Sequence, residues 1–235
     1  MNFSWEFIGD TIIYVVKAIP MTLFLTFFPV IVGLVIGFLL ALVKINKIPV
    51  LSQIISVLSS FFRSVPLLVL LFLVYYGLPK LLNFTVYGGE RILGSKNINN
   101  NMVAILTLTI YASAFLSEII RGALSSVDKG QYEAAHALGF TKLQTYLRII
   151  IPQAIVVALP NYFNFVLALL KGSSVVFTIS VVDMMSAAKL QAEDGYRFIE
   201  AYALVGTFYI IFSIVFSTLF LKIEQRAKRR IGKIA

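Results

Sequence analysis

Long apolar runs separated by short polar segments dominate the pattern of this chain. A helix that crosses the hydrocarbon core of a bilayer needs about 20 predominantly apolar residues. Only one of the long apolar segments contains a charge, which is Arg63. The segments that meet or approach the required length are 20–43, 49–79, 97–117, 149–170 and 201–221. The pattern therefore predicts an all-α polytopic membrane protein with about five transmembrane helices.

The remaining segments differ in character from these spans. Residues 1–19 form a weaker apolar stretch with Glu6, Asp10 and Lys17, which predicts an N-terminal helix lying on or entering the membrane surface. The apolar run 172–182 is too short to cross a bilayer, so we expect it to be external or re-entrant. The tail 222–235 is basic. We expect one transmembrane domain over residues 1–235.

Composition agrees with a membrane protein. Hydrophobic residues make up 59% of the chain and charged residues 13%, against roughly 25% charged residues in soluble domains. There is no cysteine, and His136 is the only histidine, so disulfide frameworks, thiolate metal sites and histidine-rich metal cages are excluded. The net charge of +9 is attributed to basic loops facing anionic lipid headgroups, and not to a nucleic-acid partner.

The distribution of basic residues predicts the orientation. If the C-terminus is cytoplasmic, segments 44–50, 118–148 and 222–235 are internal and contain 12 basic residues, while the external segments contain 7. Arg63 is not counted. Internal segments of multispanning proteins carry the excess of Lys and Arg, which favours an external N-terminus and a cytoplasmic C-terminus.

The predicted internal loop 118–148 carries the most structured signal. Asp128 followed by Gln131 resembles a capping box, and Gly139 fits a helix stop, which predicts a helix over 129–138. Thr141 followed by Gln144 repeats the capping pattern and predicts a second helix running into Pro152. Such a projection can dock a soluble partner, or it can rest on lipid as an amphipathic helix. The residues alone leave these two alternatives open.

The same loop carries a motif with specific spacing. The pattern EAA-x3-G-x9-I-x-[LI]-P resembles the signature of the permease subunits of bacterial ATP-binding-cassette (ABC) importers. It runs through Glu133, Ala134, Ala135, Gly139, Ile149, Ile151 and Pro152. The segments 61–79, 117–135, 169–185 and 197–215 are similar to the branch of that family that takes up polar amino acids.

This resemblance implies a function. It implies a type I importer permease fold in which Glu133, Ala134, Ala135 and Gly139 belong to a coupling helix that contacts an ATPase subunit. It also implies two copies of that subunit, a second permease subunit, an extracytoplasmic amino-acid-binding protein and a place in the bacterial inner membrane. The alternative is a membrane pore or scaffold that works without an ATPase.

Several catalytic motifs are absent from the sequence. No G-x-x-x-x-G-K-[ST], H-E-x-x-H or G-x-S-x-G occurs, so the chain has no P-loop and no recognisable hydrolase or zinc-protease site. We expect no cofactor and no enzyme activity, with ATP hydrolysis in a separate polypeptide.

Ionisable and polar groups inside spans are candidate substrate contacts. Arg63 can meet a substrate carboxylate, or it can reach the inner headgroups or pair with Glu118. Asn164 and Lys171 are two helical turns apart and share a face. Ser173 and Ser174 follow Gly172, which suggests a broken helix with free backbone groups. These serines can instead make only hydrogen bonds within or between helices.

The resemblance also bears on the substrate. The related sequences commonly have an acidic residue at the position of Gly172, and its absence here argues against a cationic amino acid. We expect a neutral or zwitterionic amino acid, for which a sulfur-containing one such as cystine is one candidate. The pair Gly33 and Gly37 predicts close helix packing.

Overall fold

A computed structural model describes residues 3–90, 93–94 and 98–231, with side chains up to residue 229. Within these ranges the regular structure is helical throughout. The helices are α1 (Trp5–Ile45), α2 (Leu51–Ser64), α3 (Leu67–Val86), α4 (Asn100–Ser125), α5 (Lys129–Ala137), α6 (Lys142–Thr145), a π-helical turn (Tyr146–Ile150), α7 (Ile151–Gly172), a 3-10 segment (Ser173–Ile179), α8 (Met184–Glu193) and α9 (Phe198–Ile231).

Five of the described helices are long and apolar enough to cross a membrane. They are Trp5–Ile45, Leu67–Val86, Asn100–Ser125, Lys142–Ile179 and Phe198–Arg229. The prediction of an all-α fold with five spans is confirmed. Arg91, Lys96 and Lys233, which entered the count of basic residues, lie outside the described residues.

Helix α1 continues without a break from the N-terminal segment into the first span. It begins at Trp5 after the cap Ser4, whose hydroxyl accepts a hydrogen bond from the backbone N–H of Phe7 at 3.3 Å. Its 41 residues correspond to about 60 Å, roughly twice the hydrocarbon thickness of a bilayer. The N-terminal segment is therefore not a helix separate from the first span, and whether it lies on or enters the membrane surface stays a prediction.

The second predicted span, 49–79, is wrong as a single element. Helix α2 ends at Ser64 and α3 begins at Leu67. Pro66 disfavours a helical backbone in the residue before it, and Val65 is indeed extended, with φ −80° and ψ 130°. The span proper is α3, and α2 is a separate amphipathic helix whose only buried residue is Ser59.

Helices α1 and α4 run parallel and pack closely through glycine. A Cβ atom on Gly33 would lie 2.7 Å from the Cβ of Ala112, and one on Gly37 would lie 2.9 Å from the backbone nitrogen of Ser117. The prediction that these glycines serve packing is confirmed. Around this pair, buried residues of α1, α3, α4, α7 and the 3-10 segment form the central core.

An ion-pair cluster joins the same two helices further along. The Nζ atom of Lys44 lies 2.7 Å from Oε1 of Glu118 and donates a second hydrogen bond to the Ser117 hydroxyl at 3.2 Å. Arg121 pairs with the other Glu118 oxygen at 2.9 Å. Because these partners occupy both carboxylate oxygens, the alternative in which Arg63 pairs with Glu118 is wrong.

A second, smaller core lies near the N-terminus of α1. Val15 and Ala18 pack there with buried residues of α8 and of the beginning of α9. The backbone N–H of Met184 donates to the Thr22 hydroxyl at 3.0 Å, which ties the beginning of α8 to α1. Sequence analysis did not predict α8, whose contacts are made mostly by alanines that carry little periodic signal.

Candidate functional site

Helix α5 forms the centre of the coupling segment predicted from the motif. It spans Lys129–Ala137, one residue shorter than expected. The Asp128 carboxylate caps it by accepting from the backbone N–H of Gly130 at 2.6 Å. The predicted reciprocal bond from Gln131 does not form, because the Gln131 side chain is instead 3.4 Å from the side-chain nitrogen of Gln153.

The C-terminal end of α5 is closed by a Schellman motif. The N–H of Phe140 donates to the carbonyl of Ala135 at 3.1 Å, and the N–H of Gly139 donates to that of His136 at 3.0 Å. Gly139 has φ +81°, a left-handed conformation that costs other residues energy. The predicted stop at Gly139 is confirmed.

The second capping box forms as predicted. The Thr141 hydroxyl accepts from the N–H of Gln144 at 3.3 Å, and the Gln144 side chain accepts from the N–H of Thr141 at 2.9 Å. The helix that begins here does not end at Pro152 but continues through the π-helical turn into α7. Because a proline ring clashes with the carbonyl four residues earlier, a local π-helical turn before Pro152 accommodates it.

Three contacts hold α5 against the beginning of the fourth span. Ala135 is buried, the ring of Tyr132 meets that of Tyr146 at 6.4 Å, and Gln131 contacts Gln153. These contacts join α5 to the helix that becomes α7.

The outer surface of this projection is available to a partner. Glu133, Ala134 and Gly139 are exposed, whereas Ala135 faces inward. Sequence analysis missed three leucines of this segment that are more than half exposed: Leu138 at 78%, Leu143 at 69% and Leu147 at 57%. Large exposed apolar side chains are candidates for contact with a partner. Leu143 and Leu147 are four residues apart, a spacing that places them on one face of a helix and from which they could have been predicted.

Arg63 lies in the last turn of α2, half-buried, and its Nε donates to the carbonyl of Ser59 at 3.3 Å. Helix α2 ends at the next residue, and Val65 and Pro66 separate it from α3. No side chain caps the N-terminus of α3. This end of α3 lies close to the second helix break, which is the change from α7 to the 3-10 segment at Ser173. A Cβ atom on Gly172 would be 3.4 Å from Cδ2 of Leu67.

Asn164 and Lys171 share an exposed face of α7, as their spacing predicts. Asn161 and Ala168 are exposed on the same face. The two asparagine amides make no hydrogen bond to any residue that the structure describes. Amides on a membrane helix need polar partners, so this face borders water, a ligand or another polar surface.

The helix change predicted after Lys171 is present, because α7 gives way to a 3-10 segment at Ser173. Ser173 is buried and donates to the carbonyl of Leu170 at 3.0 Å, while Ser174 is partly exposed and donates to that of Lys171 at 2.8 Å. In this conformation both hydroxyl hydrogens are used within the chain. Of the two serines, Ser174 is the more accessible to a ligand.

No three Asp, Glu or His side chains gather into a possible metal site anywhere in the ranges that the structure describes. The polar groups at the two helix breaks are serine hydroxyls and backbone groups, and Arg63 and Lys171 precede the breaks by one or two residues. Asn164 lies about 13 Å before the second break along α7. Such a set can hold a small polar ligand by hydrogen bonds and charge, without a covalent step.

Comparison with known families gives one match that covers most of the chain. Residues 33–230 match the family described as binding-protein-dependent transport system inner membrane component. The matched range contains the predicted coupling segment, both helix breaks and the last span as far as residue 230.

Individual relatives agree. The chain is 41% identical to a probable amino-acid permease protein of Bacillus subtilis, YxeN, over 92% of both chains. It is 34% identical to the L-cystine transport system permease protein TcyL of the same organism, over 99% of this chain and 95% of that one. A solved amino acid ABC transporter with histidines matches with a TM-score of 0.84 at 32% identity, over 96% of this chain and all of the other.

Proposed function

Because the chain belongs to the family of binding-protein-dependent transport system inner membrane components and is a transmembrane subunit of an amino-acid ABC importer, we propose that α5 couples ATP turnover in a separate subunit to translocation. The ATPase activity resides in that partner. The observation that carries the proposal is the exposed surface around Glu133, Ala134 and Gly139, held on a capped helix that leads directly into α7.

The coupling works through the anchoring contacts of α5. When two ATPase subunits close on ATP, the surface of α5 moves with them. Because Tyr132 contacts Tyr146 and Gln131 contacts Gln153, the movement reaches α7 and the helix break at Ser173. Alternating access follows from rocking of the spans around the two helix breaks.

The most direct test of the coupling surface is Gly139→Arg, with Gly139→Ala as its matched control. Both variants bear the positive-φ cost of about 1–2 kcal/mol, and neither side chain meets another atom within 4 Å at Cβ. Only arginine adds bulk and charge to the docking surface. We expect Gly139→Arg to abolish ATP-driven uptake in proteoliposomes while Gly139→Ala keeps most of it, with equal amounts of both proteins in the membrane.

Equal uptake by the two variants would contradict coupling through this surface. Co-purification with the ATPase in mild detergent identifies the failing step. Loss of the ATPase from Gly139→Arg indicates failed docking, and retention of the ATPase without uptake indicates failed transmission.

The assembly proposed for this subunit has two ATPase subunits, a second permease subunit and an external amino-acid-binding protein. Support for a second permease subunit comes from the exposed amides of Asn161 and Asn164, which need a polar environment within the membrane. The orientation proposed from the basic residues has the N-terminus outside and the C-terminus in the cytoplasm, which makes the exposed surface of α5 internal.

The translocation site proposed here extends from the point where the two helix breaks meet along the exposed face of α7 to Asn164. Asn164 and Ser174 offer an amide and a hydroxyl at its two ends, and Arg63 offers a cation for a substrate carboxylate. The Ser173 hydroxyl is buried and donates to the carbonyl of Leu170, so it is not free to bind substrate. Ser173 instead helps to position the backbone of the 3-10 segment at the site. We expect Asn164→Ala and Ser174→Ala to raise the substrate concentration for half-maximal uptake.

The proposed substrate is a neutral or zwitterionic amino acid. Gly172, the last residue before the 3-10 segment, carries no negative charge that could attract a cationic substrate side chain. The similarity to an L-cystine permease supports a sulfur-containing substrate such as cystine.

The substrate class is tested by Gly172→Asp, with the isosteric Gly172→Asn as control. A Cβ there makes only an ordinary contact with Leu67, so both side chains can be accommodated. We expect Gly172→Asp to increase competition by arginine against uptake of a neutral amino acid, and Gly172→Asn to leave it unchanged. Equal competition in both variants would exclude charge at this position as the determinant.

A further inference from the structure

Asp183 follows the 3-10 segment and is fully buried at the beginning of α8. Its Oδ1 atom caps α8 by accepting from the N–H of Ser186 at 2.9 Å. Its Oδ2 atom is also buried but has no hydrogen-bond partner. Since asparagine caps a helix as well as aspartate does, capping alone does not account for a buried carboxylate here.

The hydroxyl of Tyr209 on α9 is the counterpart of this oxygen. It is buried and likewise makes no hydrogen bond. Tyr209 packs against the small core that contains Met184, and its hydroxyl interacts electrostatically with the Asp183 carboxylate. The Ser174 hydroxyl lies near the Tyr209 hydroxyl. The hydrogen of the Ser174 hydroxyl is donated to the carbonyl of Lys171 at 2.8 Å.

Among the residues whose side chains are described, no cation on the packed elements pairs with Asp183. On α8, Lys189 pairs with Glu193 at 3.5 Å and lies over the ring of Phe177. Arg197, which immediately precedes α9, pairs with Glu200 of α9 at 3.4 Å. The charged groups of the adjoining part of α1 are exposed; they are Glu6, Asp10 and Lys17.

We propose that Asp183 and Tyr209 are positioning residues for translocation, whose side chains pair in an alternate conformation of the transporter and thereby set the position of the 3-10 segment that carries Ser173 and Ser174. This inference rests on the proposed translocation site. In the conformation described here, a buried donor and a buried acceptor on neighbouring elements are both unpaired, which is costly. A shift of α9 relative to the beginning of α8 that brings the two groups together would remove this cost.

The pairing has a defined dependence on pH. Burial raises the pKa of the Asp183 carboxyl to about 6. Above that pH the ionised Oδ2 accepts a charge-assisted hydrogen bond from the Tyr209 hydroxyl, and below it the carboxyl is neutral and the bond is weaker. Uptake is therefore expected to fall as the pH decreases through about 6.

The experiment uses the complete transporter with its ATPase and binding protein in proteoliposomes. Uptake is measured from pH 5 to pH 8 for the wild type, Asp183→Asn, Tyr209→Phe and the double variant. Asparagine retains the α8 cap, and phenylalanine retains the ring of Tyr209. Tyr202→Phe, an exposed hydroxyl on the same helix, is the matched control for Tyr209→Phe.

We expect each single variant to lower the maximal uptake rate at pH 7.5 by about threefold or more, with the double variant no worse than either single variant. Asp183→Asn abolishes the change in rate near pH 6 relative to the wild type. Tyr202→Phe behaves as the wild type.

The proposal is overturned if Asp183→Asn has the rate and pH profile of the wild type. It is also overturned if the effects of the two substitutions are independent, and Asp183 is then only a helix cap. Failure of the proposed function gives a different result. In that case Asn164→Ala and Ser174→Ala leave substrate affinity unchanged, whatever the coupling between Asp183 and Tyr209.

Discussion

Gly33 and Gly37 illustrate how a residue type read from the sequence becomes a packing constraint. Their spacing predicts a close helix contact, and the structure gives the partner, α4. The partner could not be predicted from the sequence, because the spacing of the glycines shows which face of α1 allows close packing but not which helix packs there. Likewise Glu118 is recognisable as the first charge after the third predicted span, but its pairing with Lys44 depends on the parallel packing of α1 and α4.

Gly37→Ala tests the packing at this contact. The added Cβ would lie 2.9 Å from the backbone nitrogen of Ser117, and backbone cannot move as a flexible side chain can. We expect a loss of roughly 1–3 kcal/mol in the free energy of unfolding, seen as a lower Tm in detergent. Gly9→Ala on the same helix is the control, because its Cβ meets nothing within 4 Å. An equal Tm for the two variants would contradict the close contact.

The ion-pair cluster predicts an asymmetry between its two members. Lys44→Met leaves Glu118 paired with Arg121, whereas Glu118→Gln leaves the Lys44 ammonium, 4% exposed, without a counter-ion. Removing the partner of a buried charge costs about 3–5 kcal/mol, so Glu118→Gln should lower Tm more than Lys44→Met does. Lys228→Met breaks an exposed pair with Glu224 and should cost less than about 1 kcal/mol. The reverse order of the first two variants would argue against a buried Lys44.

At the scale of elements, boundaries marked by local chemistry were predictable and boundaries set by tertiary packing were not. The Thr141–Gln144 capping box and the Gly139 stop involve neighbouring residues only, and both form. The break before α3 could have been predicted from Pro66, but the prediction followed the continuous apolar run 49–79 instead. Helix α8 escaped prediction because its stability comes from burial against α1 and α9.

Thr141→Ala tests whether the capping box matters for coupling. The substitution removes the hydroxyl that caps the segment between α5 and α7, at a cost of about 1 kcal/mol of helix stability. We expect more ATP hydrolysed per amino acid transported, because α5 is less firmly joined to α7. Thr141→Ser retains the hydroxyl and should keep the wild-type ratio. An unchanged ratio in Thr141→Ala would show that the capping box is dispensable.

At the scale of the whole molecule, the helices form a central core around α1 and α4 and a smaller core around α8. The fold class, the five spans and the membership of the importer family were all predictable, because apolar length and one spaced motif specify them. The alternative of a pore without an ATPase fails against the family match. The substrate site was only partly predictable, since the meeting of Leu67 and Gly172 joins residues about a hundred positions apart.

The central claim is that the exposed surface of α5 faces the cytoplasm, where an ATPase can reach it. The chain has no cysteine, so single cysteines at Leu138 and Tyr196, exposed by 78% and 75%, report the side of the membrane without background. Intact cells are treated with a membrane-impermeant maleimide before and after permeabilisation. The account predicts that Tyr196→Cys is labelled in intact cells and Leu138→Cys only after permeabilisation; labelling of Leu138→Cys from outside would contradict it.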